Sequence, residues 1–198
     1  GIKYYENGKK MYEGNFKDIN FNGQGTYYNE SGEKVYEGNF KNNNFDGQGI
    51  KYYKNEKIAY EGDFKDDNFN GQGIYYLESG KKMYEGDFKD DKYCGHGIKY
   101  YENGKKMYEG NFKDNNFDRQ GTYYNESGEK VYEGNFKDNK VNGQGIMYCL
   151  ESGKKMYEGD WIDDKYCGHG IIYYQNGKKR YEGNFKDNNF DGQGTYYN

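Results

Sequence analysis

Two short strings hold the residues best suited to chemistry, Cys94-Gly95-His96 and Cys167-Gly168-His169. A thiol and an imidazole two residues apart are metal ligands by type. Yet each cysteine stands where the matching strings carry Asn or Asp, and each histidine where they carry Gln. The two pairs are far apart along the chain. If three stacked hairpins lie between them, the separation is roughly 30 Å, too far to share an ion. Two protein ligands make a poor zinc site, so neither a metal nor a cofactor is expected. Cys149 is left over, and an odd cysteine count fits a reducing setting.

Other chemistries lack their parts. His96 and His169 are the only histidines, and both are variants within a repeat, so no nucleophile–base set can be assembled. "GQG" and "GHG" are not phosphate loops, because no helix follows them. The Glu of "YEG" occurs eight times, from Glu13 to Glu182. A catalytic carboxylate has no reason to be copied into every repeat. The row reads as solvated or cross-strand pairs with Lys, or else as an acidic row that orients a basic partner. The chain is expected not to be an enzyme.

The elements that position these residues are set by a repeat. Tyr12, Tyr36, Tyr60, Tyr84, Tyr108, Tyr132, Tyr157 and Tyr181 follow one another at a spacing of 24, with one interval of 25. The longer interval arises because "GIMYCLESGKKM" carries one residue more than "GIYYLESGKKM". With this tyrosine as position 0, Glu is always at 1, Gly at 2, an aromatic at 4, Gly at 13 and Tyr at 16. Position 4 is Phe16, Phe40, Phe64, Phe88, Phe112, Phe136, Trp161 and Phe185. Position 11 is Gly except at Arg119. The chain opens at "GIKYY", which matches 97–101, and so reads as a piece of a longer array.

Strand alternation puts positions 0, 2 and 4 on one face and positions 1 and 3 on the other. The same rule puts the glycines at 11 and 13 on a shared face. The Asn- and Asp-rich stretch at positions 5–10 reads as one turn, and "ENGK" or "ESGE" as the next. At 54–57 "KNEK" lacks the turn glycine. No apolar stripe of period 3.6 appears. The predicted fold is all-β, an elongated single-layer array of stacked antiparallel β-hairpins, a meander or solenoid of about 17 strands with almost no helix. One continuous array spans 1–198, with a partial repeat at 1–11 and repeats starting at 12, 36, 60, 84, 108, 132, 157 and 181, the last truncated. The strings "CGHGI" and "LESGKKMYEGD" each recur three repeats further on, which marks a copied block of three repeats.

Composition agrees. The chain is strongly polar, yet 20% of its residues are aromatic and its net charge is only −4, which opposes disorder. There is no Pro, and the 31 Gly recur on a schedule rather than in runs. No apolar stretch approaches the roughly 18 residues of a membrane helix. The acidic balance and the lack of a basic stripe oppose nucleic-acid binding.

The pattern "YEGNFKDNNFDGQGTYYNESGEKVYEGNF" resembles MORN repeats, whose consensus has the form YxGxWxxGxxHGxGxxxxxxGxxYxG. Tyr12, Gly14, Phe16, Gly23, Gly25 and Gly32 fall on matching positions. Three features depart from it: a period of 24 where about 23 is usual, Asn or Asp for the Gly of the first turn, and Asn, Asp or Cys for the His. The resemblance implies a hairpin array that acts as a scaffold for protein partners, the membrane-linked cytoskeleton or copies of itself. It favours a cytoplasmic or membrane- and cytoskeleton-associated setting, with a bacterial surface as the alternative.

Position 0 and position 4 aromatics read as core or as a binding ladder, and the two are compatible if one groove is partly filled. The expected function is a non-catalytic scaffold that presents this repetitive aromatic groove to a protein or peptide partner. Exposed strands at the array ends could pair with another copy. A carbohydrate or cell-wall binding array is the alternative, because tyrosine-rich hairpins also stack on sugars. Phospholipid association is a minor alternative, resting on Lys pairs such as Lys9-Lys10, Lys81-Lys82 and Lys105-Lys106 at the turns.

Overall fold

The computed structural model describes residues 1–198. Aromatic and β-branched residues interrupted by Gly, Asn and Asp build strands joined by tight turns. There are 17 strands and no helix. They are β1 Ile2–Tyr4, β2 Lys10–Lys17, β3 Asn20–Tyr28, β4 Lys34–Lys41, β5 Asn44–Tyr52, β6 Ile58–Lys65, β7 Asn68–Tyr76, β8 Lys82–Lys89 and β9 Lys92–Tyr100. Then follow β10 Lys106–Lys113, β11 Asn116–Tyr124, β12 Lys130–Lys137, β13 Lys140–Tyr148, β14 Lys155–Ile162, β15 Lys165–Tyr173, β16 Lys179–Lys186 and β17 Asn189–Tyr196. The chain forms two compact units, Gly1–Cys94 and Gly95–Asn198. Within the first, β1 to β8 form an antiparallel meander. Within the second, the part of β9 from Gly95 onward and β10 to β17 do the same.

The first turn of each repeat is shorter than the residue types suggest. It holds two residues, such as Asn42 and Asn43 at φ of 50° and 73°. Two consecutive positive φ angles make a type I′ turn, whose twist matches the flanking strands. Asn and Asp serve because they enter the left-handed region more readily than other side chains. The aromatic after the turn, Phe45, therefore lies inside β5 rather than in a loop. In the turn between repeats Gly32 takes φ 84°, and at the exception Glu56 takes φ 63° in place of glycine.

A second difference is a bulge. Gly38 pairs with Gly49, but the next pair is Phe40 with Phe45, so Asn39 faces the stretch 46–48. The bulge puts the glycines at positions 11 and 13 on different faces. A side chain at Gly25 would run into the Tyr12 ring, whereas one at Gly23 would meet Asn15 at 3.3 Å on the other face. Strict alternation puts both on one face; the extra bulge residues separate them.

The core of each unit is a file of rings. Tyr36 lies flat on Phe45, with centroids 3.9 Å apart, and meets Phe40 and Phe64 edge-on at 5.1 and 5.0 Å. Tyr60 repeats this with Phe69, Phe64 and Phe88. Tyr108 does so in the second unit with Phe117, Phe112 and Phe136. Each such pair adds about 0.5–1.5 kcal/mol beyond the burial of its area. The tyrosine hydroxyl is not stranded, because Tyr36 donates to the Asn39 carbonyl at 2.9 Å.

Candidate binding surfaces

The sixteen aromatics singled out as a ladder make this core. Tyr12, Tyr36, Tyr60, Tyr84, Tyr108, Tyr132, Tyr157 and Tyr181 are buried, as are Phe40, Phe64, Phe88, Phe112, Phe136, Trp161 and Phe185, none more than 6% exposed. Phe16 alone is half-buried. Burial pushes the hydroxyls of Tyr36, Tyr60 and Tyr84 well above the usual tyrosine range. Rings held this way offer no face to a partner. Any ring-lined surface must use residues that the position 0 and position 4 pattern does not pick out.

Two such sets stand at positions 9 and 15. Phe45 and Phe69, at position 9, cover the core tyrosines on one side and are half-buried. Beside them runs an alternating row in the first unit: Lys3, Tyr27, Lys51 and Tyr75. Lys3 places its ammonium 5.4 Å from the centre of the Phe21 ring, and Lys51 does the same at Phe69. Tyr27 meets Phe45 at 6.4 Å and Tyr75 meets Phe69 at 6.2 Å. Lys3, Met11, Phe21, Tyr27, Phe45 and Asp67 line a groove of about 580 Å³. The second unit repeats the alternation in part, with Lys99 over Phe117 and Tyr123 beside it. These residues fall outside the constant positions of the repeat, so periodicity alone does not pick them out.

The turn residues lock one repeat to the next. The Asn43 amide hydrogen goes to the Phe21 carbonyl at 3.0 Å, and its side-chain oxygen accepts from the Phe21 amide at 2.8 Å. Asp67 holds Phe45 in the same way. At the other turn, Lys9 donates to the Ser31 carbonyl at 2.7 Å, and Lys57 and Lys105 act likewise on Ser79 and Ser127.

The opposite face carries a repeated set of Lys, Glu and Tyr. Lys34 pairs with Glu37 at 2.7 Å and lies 5.3 Å from the centre of the Tyr52 ring. Residues three apart on a strand should point to opposite faces. Here a bulge intervenes: Tyr27 pairs with Tyr36 and Tyr28 with Lys34, which leaves Val35 outside the ladder and brings Lys34 and Glu37 together. The same pair recurs at Lys10–Glu13, Lys82–Glu85, Lys106–Glu109, Lys130–Glu133, Lys155–Glu158 and Lys179–Glu182. The Lys130 and Lys155 ammonium groups hold Glu133 and Glu158 below the usual carboxylate range.

In the second Cys-Gly-His string the two side chains have different neighbours. Burial, with Asp160 nearby, pushes the Cys167 thiol up. The exposed His169 has its Nε2 4.0 Å from Glu182.

A family model described as MORN repeat matches residues 12–34, 36–56, 60–82, 84–106, 108–130, 132–149, 157–179 and 181–198. A second, described as MORN repeat variant, matches residues 1–18. No curated protein matches the chain.

Proposed function

The chain belongs to the MORN repeat family, and we propose that it is a non-catalytic scaffold whose half-open groove receives an extended segment of a protein partner. Repeats of this family serve in binding or membrane association. The observation that carries the reading is the groove lined by Lys3, Met11, Phe21, Tyr27, Phe45 and Asp67, whose lysine and tyrosine are repeated two repeats on by Lys51 and Tyr75 against Phe69. Successive repeats are roughly 10 Å apart, two strand spacings, which suits an extended chain that sets one side chain per repeat. Apolar floor, tyrosine edge and lysine head recur along it, so a partner is read by the order of its apolar and acidic side chains.

The same observations weigh against the other two expectations. A sugar stacks on an open ring face, and Lys3 and Lys51 lie over the faces of Phe21 and Phe69. An anionic lipid surface rewards clustered cations, and in each turn pair one lysine, Lys10, Lys82 or Lys106, is paired with a glutamate.

The test is selection from a display library of randomised ten-residue peptides. Selected peptides should bind at least tenfold more weakly to Tyr27→Ala and Tyr75→Ala, and unchanged to Lys34→Ala on the opposite face. Equal binding to wild type and both tyrosine variants would overturn the proposal, as would a glycan array giving the sole specific signal.

A further inference from the structure

One repeat breaks the lysine–glutamate pattern of the outer face. Seven repeats carry Lys three places before the Glu, and the third carries Ile58 before Glu61. Ile58 keeps the backbone place of the missing lysine: it pairs with Tyr52 as Lys34 pairs with Tyr28. What is missing is the cation. In the neighbouring repeat that cation satisfies Glu37 and lies over the Tyr52 ring. Glu61 instead accepts a hydrogen bond from Tyr76 at 2.5 Å.

The surroundings of Glu61 are apolar and its vicinity is acidic. Directly across the two ladders it faces Ile50 and Ile74, both half-buried. Two places on, Asp63 holds Gln48 and the Gln72 amide. The first two repeats have neutral Asn15 and Asn39 at the place of Asp63. Lys10–Glu13–Asn15 and Lys34–Glu37–Asn39 are thus neutral sets, whereas Ile58–Glu61–Asp63 carries two negative charges.

The chain supplies its own comparison in the second unit. Glu158 also lies between two isoleucines, Ile146 and Ile171. It has its lysine, with Lys155 at 2.8 Å, and its tyrosine, with Tyr173 at 2.8 Å. Frame, carboxylate and tyrosine are the same at Glu61, and only the lysine differs.

We propose that the outer face around Glu61 is a docking site for a lysine or arginine side chain of a protein partner. The partner's cation takes the place that Lys34 and Lys155 hold in their own repeats. Its aliphatic stem lies along Ile50, Ile58 and Ile74, which favours a basic residue flanked by apolar ones. The ring of Tyr76 offers the same cation contact that Tyr52 gives Lys34. A doubly negative set among sets that keep their lysine also fixes the register of the partner along otherwise similar repeats. This site stands apart from the groove on the other face and does not rest on that reading.

The experiment is selection of randomised ten-residue displayed peptides against the wild-type chain, with counter-selection against Ile58→Lys. That substitution fills the site with the side chain seven repeats already use, so it is compatible with the fold. Enriched peptides should carry Lys or Arg beside an apolar residue. Their affinity should fall at least tenfold with Ile58→Lys and with Glu61→Gln, and stay within twofold with Glu158→Gln and with Tyr27→Ala. Peptides without a conserved cation, or equal binding to wild type and Ile58→Lys, would overturn the proposal. Loss of binding with Tyr27→Ala alone would return the peptides to the groove and overturn it equally.

Discussion

The Tyr36 ring lies against the backbone of Gly49 so closely that a side-chain carbon at Gly49 would overlap the ring. Gly38, across the ladder, is as tightly placed, because a side chain there would strike Gly49 itself. Two facing glycines thus open a slot through which the ring reaches the Asn39 carbonyl. The slot explains why tyrosine and these two glycines recur together.

Gly49→Ala should accordingly be costly. The added methyl has to displace a buried ring or a paired strand, and overpacking of this kind costs about 1–3 kcal/mol. Urea unfolding followed by circular dichroism checks it. A variant within about 0.5 kcal/mol of the wild type, the ordinary range for a harmless surface change, would refute the slot.

Arg119 is the reverse case. It holds φ at 57° at the place where the other repeats have glycine, and its side chain is 84% exposed. A non-glycine residue in this region is strained by about 1–2 kcal/mol, and glycine gives back part of that through its freedom in the unfolded chain. Arg119→Gly should raise the melting temperature by a few degrees, read by calorimetry. A lower melting temperature would mean that the guanidinium stabilises the fold more than the strain costs.

Asn43 joins two repeats, so its loss should be felt at Phe21. Asn43→Ala removes the acceptor of the Phe21 amide and puts a less tolerant residue at φ 73°. A cost of about 1–3 kcal/mol is expected, with faster hydrogen exchange at the Phe21 amide. Asn43→Gly should recover stability but not that protection. Unchanged exchange at Phe21 in both variants would show that the side chain is not the lock.

Alkaline pH should unfold the array. Burial pushes Tyr93 and Tyr173 up to about 12, from an ordinary value near 10.0. A raised value in the folded state means that the fold keeps the proton. The stabilisation is complete below pH 10 and is lost as pH rises toward 12. Tyrosinate absorbance and the far-ultraviolet signal should change together in that window. Full tyrosine ionisation near pH 10 with the strand signal intact would contradict burial as the cause.

What the sequence determined by itself is the period and what the period demands. Tyr at 0, Gly at 2 and 13 and an aromatic at 4 return in every repeat, and strand alternation turns that into hairpins. The MORN repeat family, the absence of helix and the central place of the Tyr12 to Tyr181 series were legible at this level. The tertiary structure decided which residues share a face. Bulges opposite Asn39 and beside Val35 each interrupt the alternation on which the sequence reading depends. They separate Gly23 from Gly25, bring Lys34 to Glu37, and let the rings of Phe45 and Phe69 close the core and edge the groove. A two-residue turn became visible only through the left-handed geometry of Asn42 and Asn43. Ile58 is plain in the sequence as a missing lysine. Its meaning appears only once the bulge has brought its seven counterparts to their glutamates, because the contact belongs to the folded register and not to the spacing.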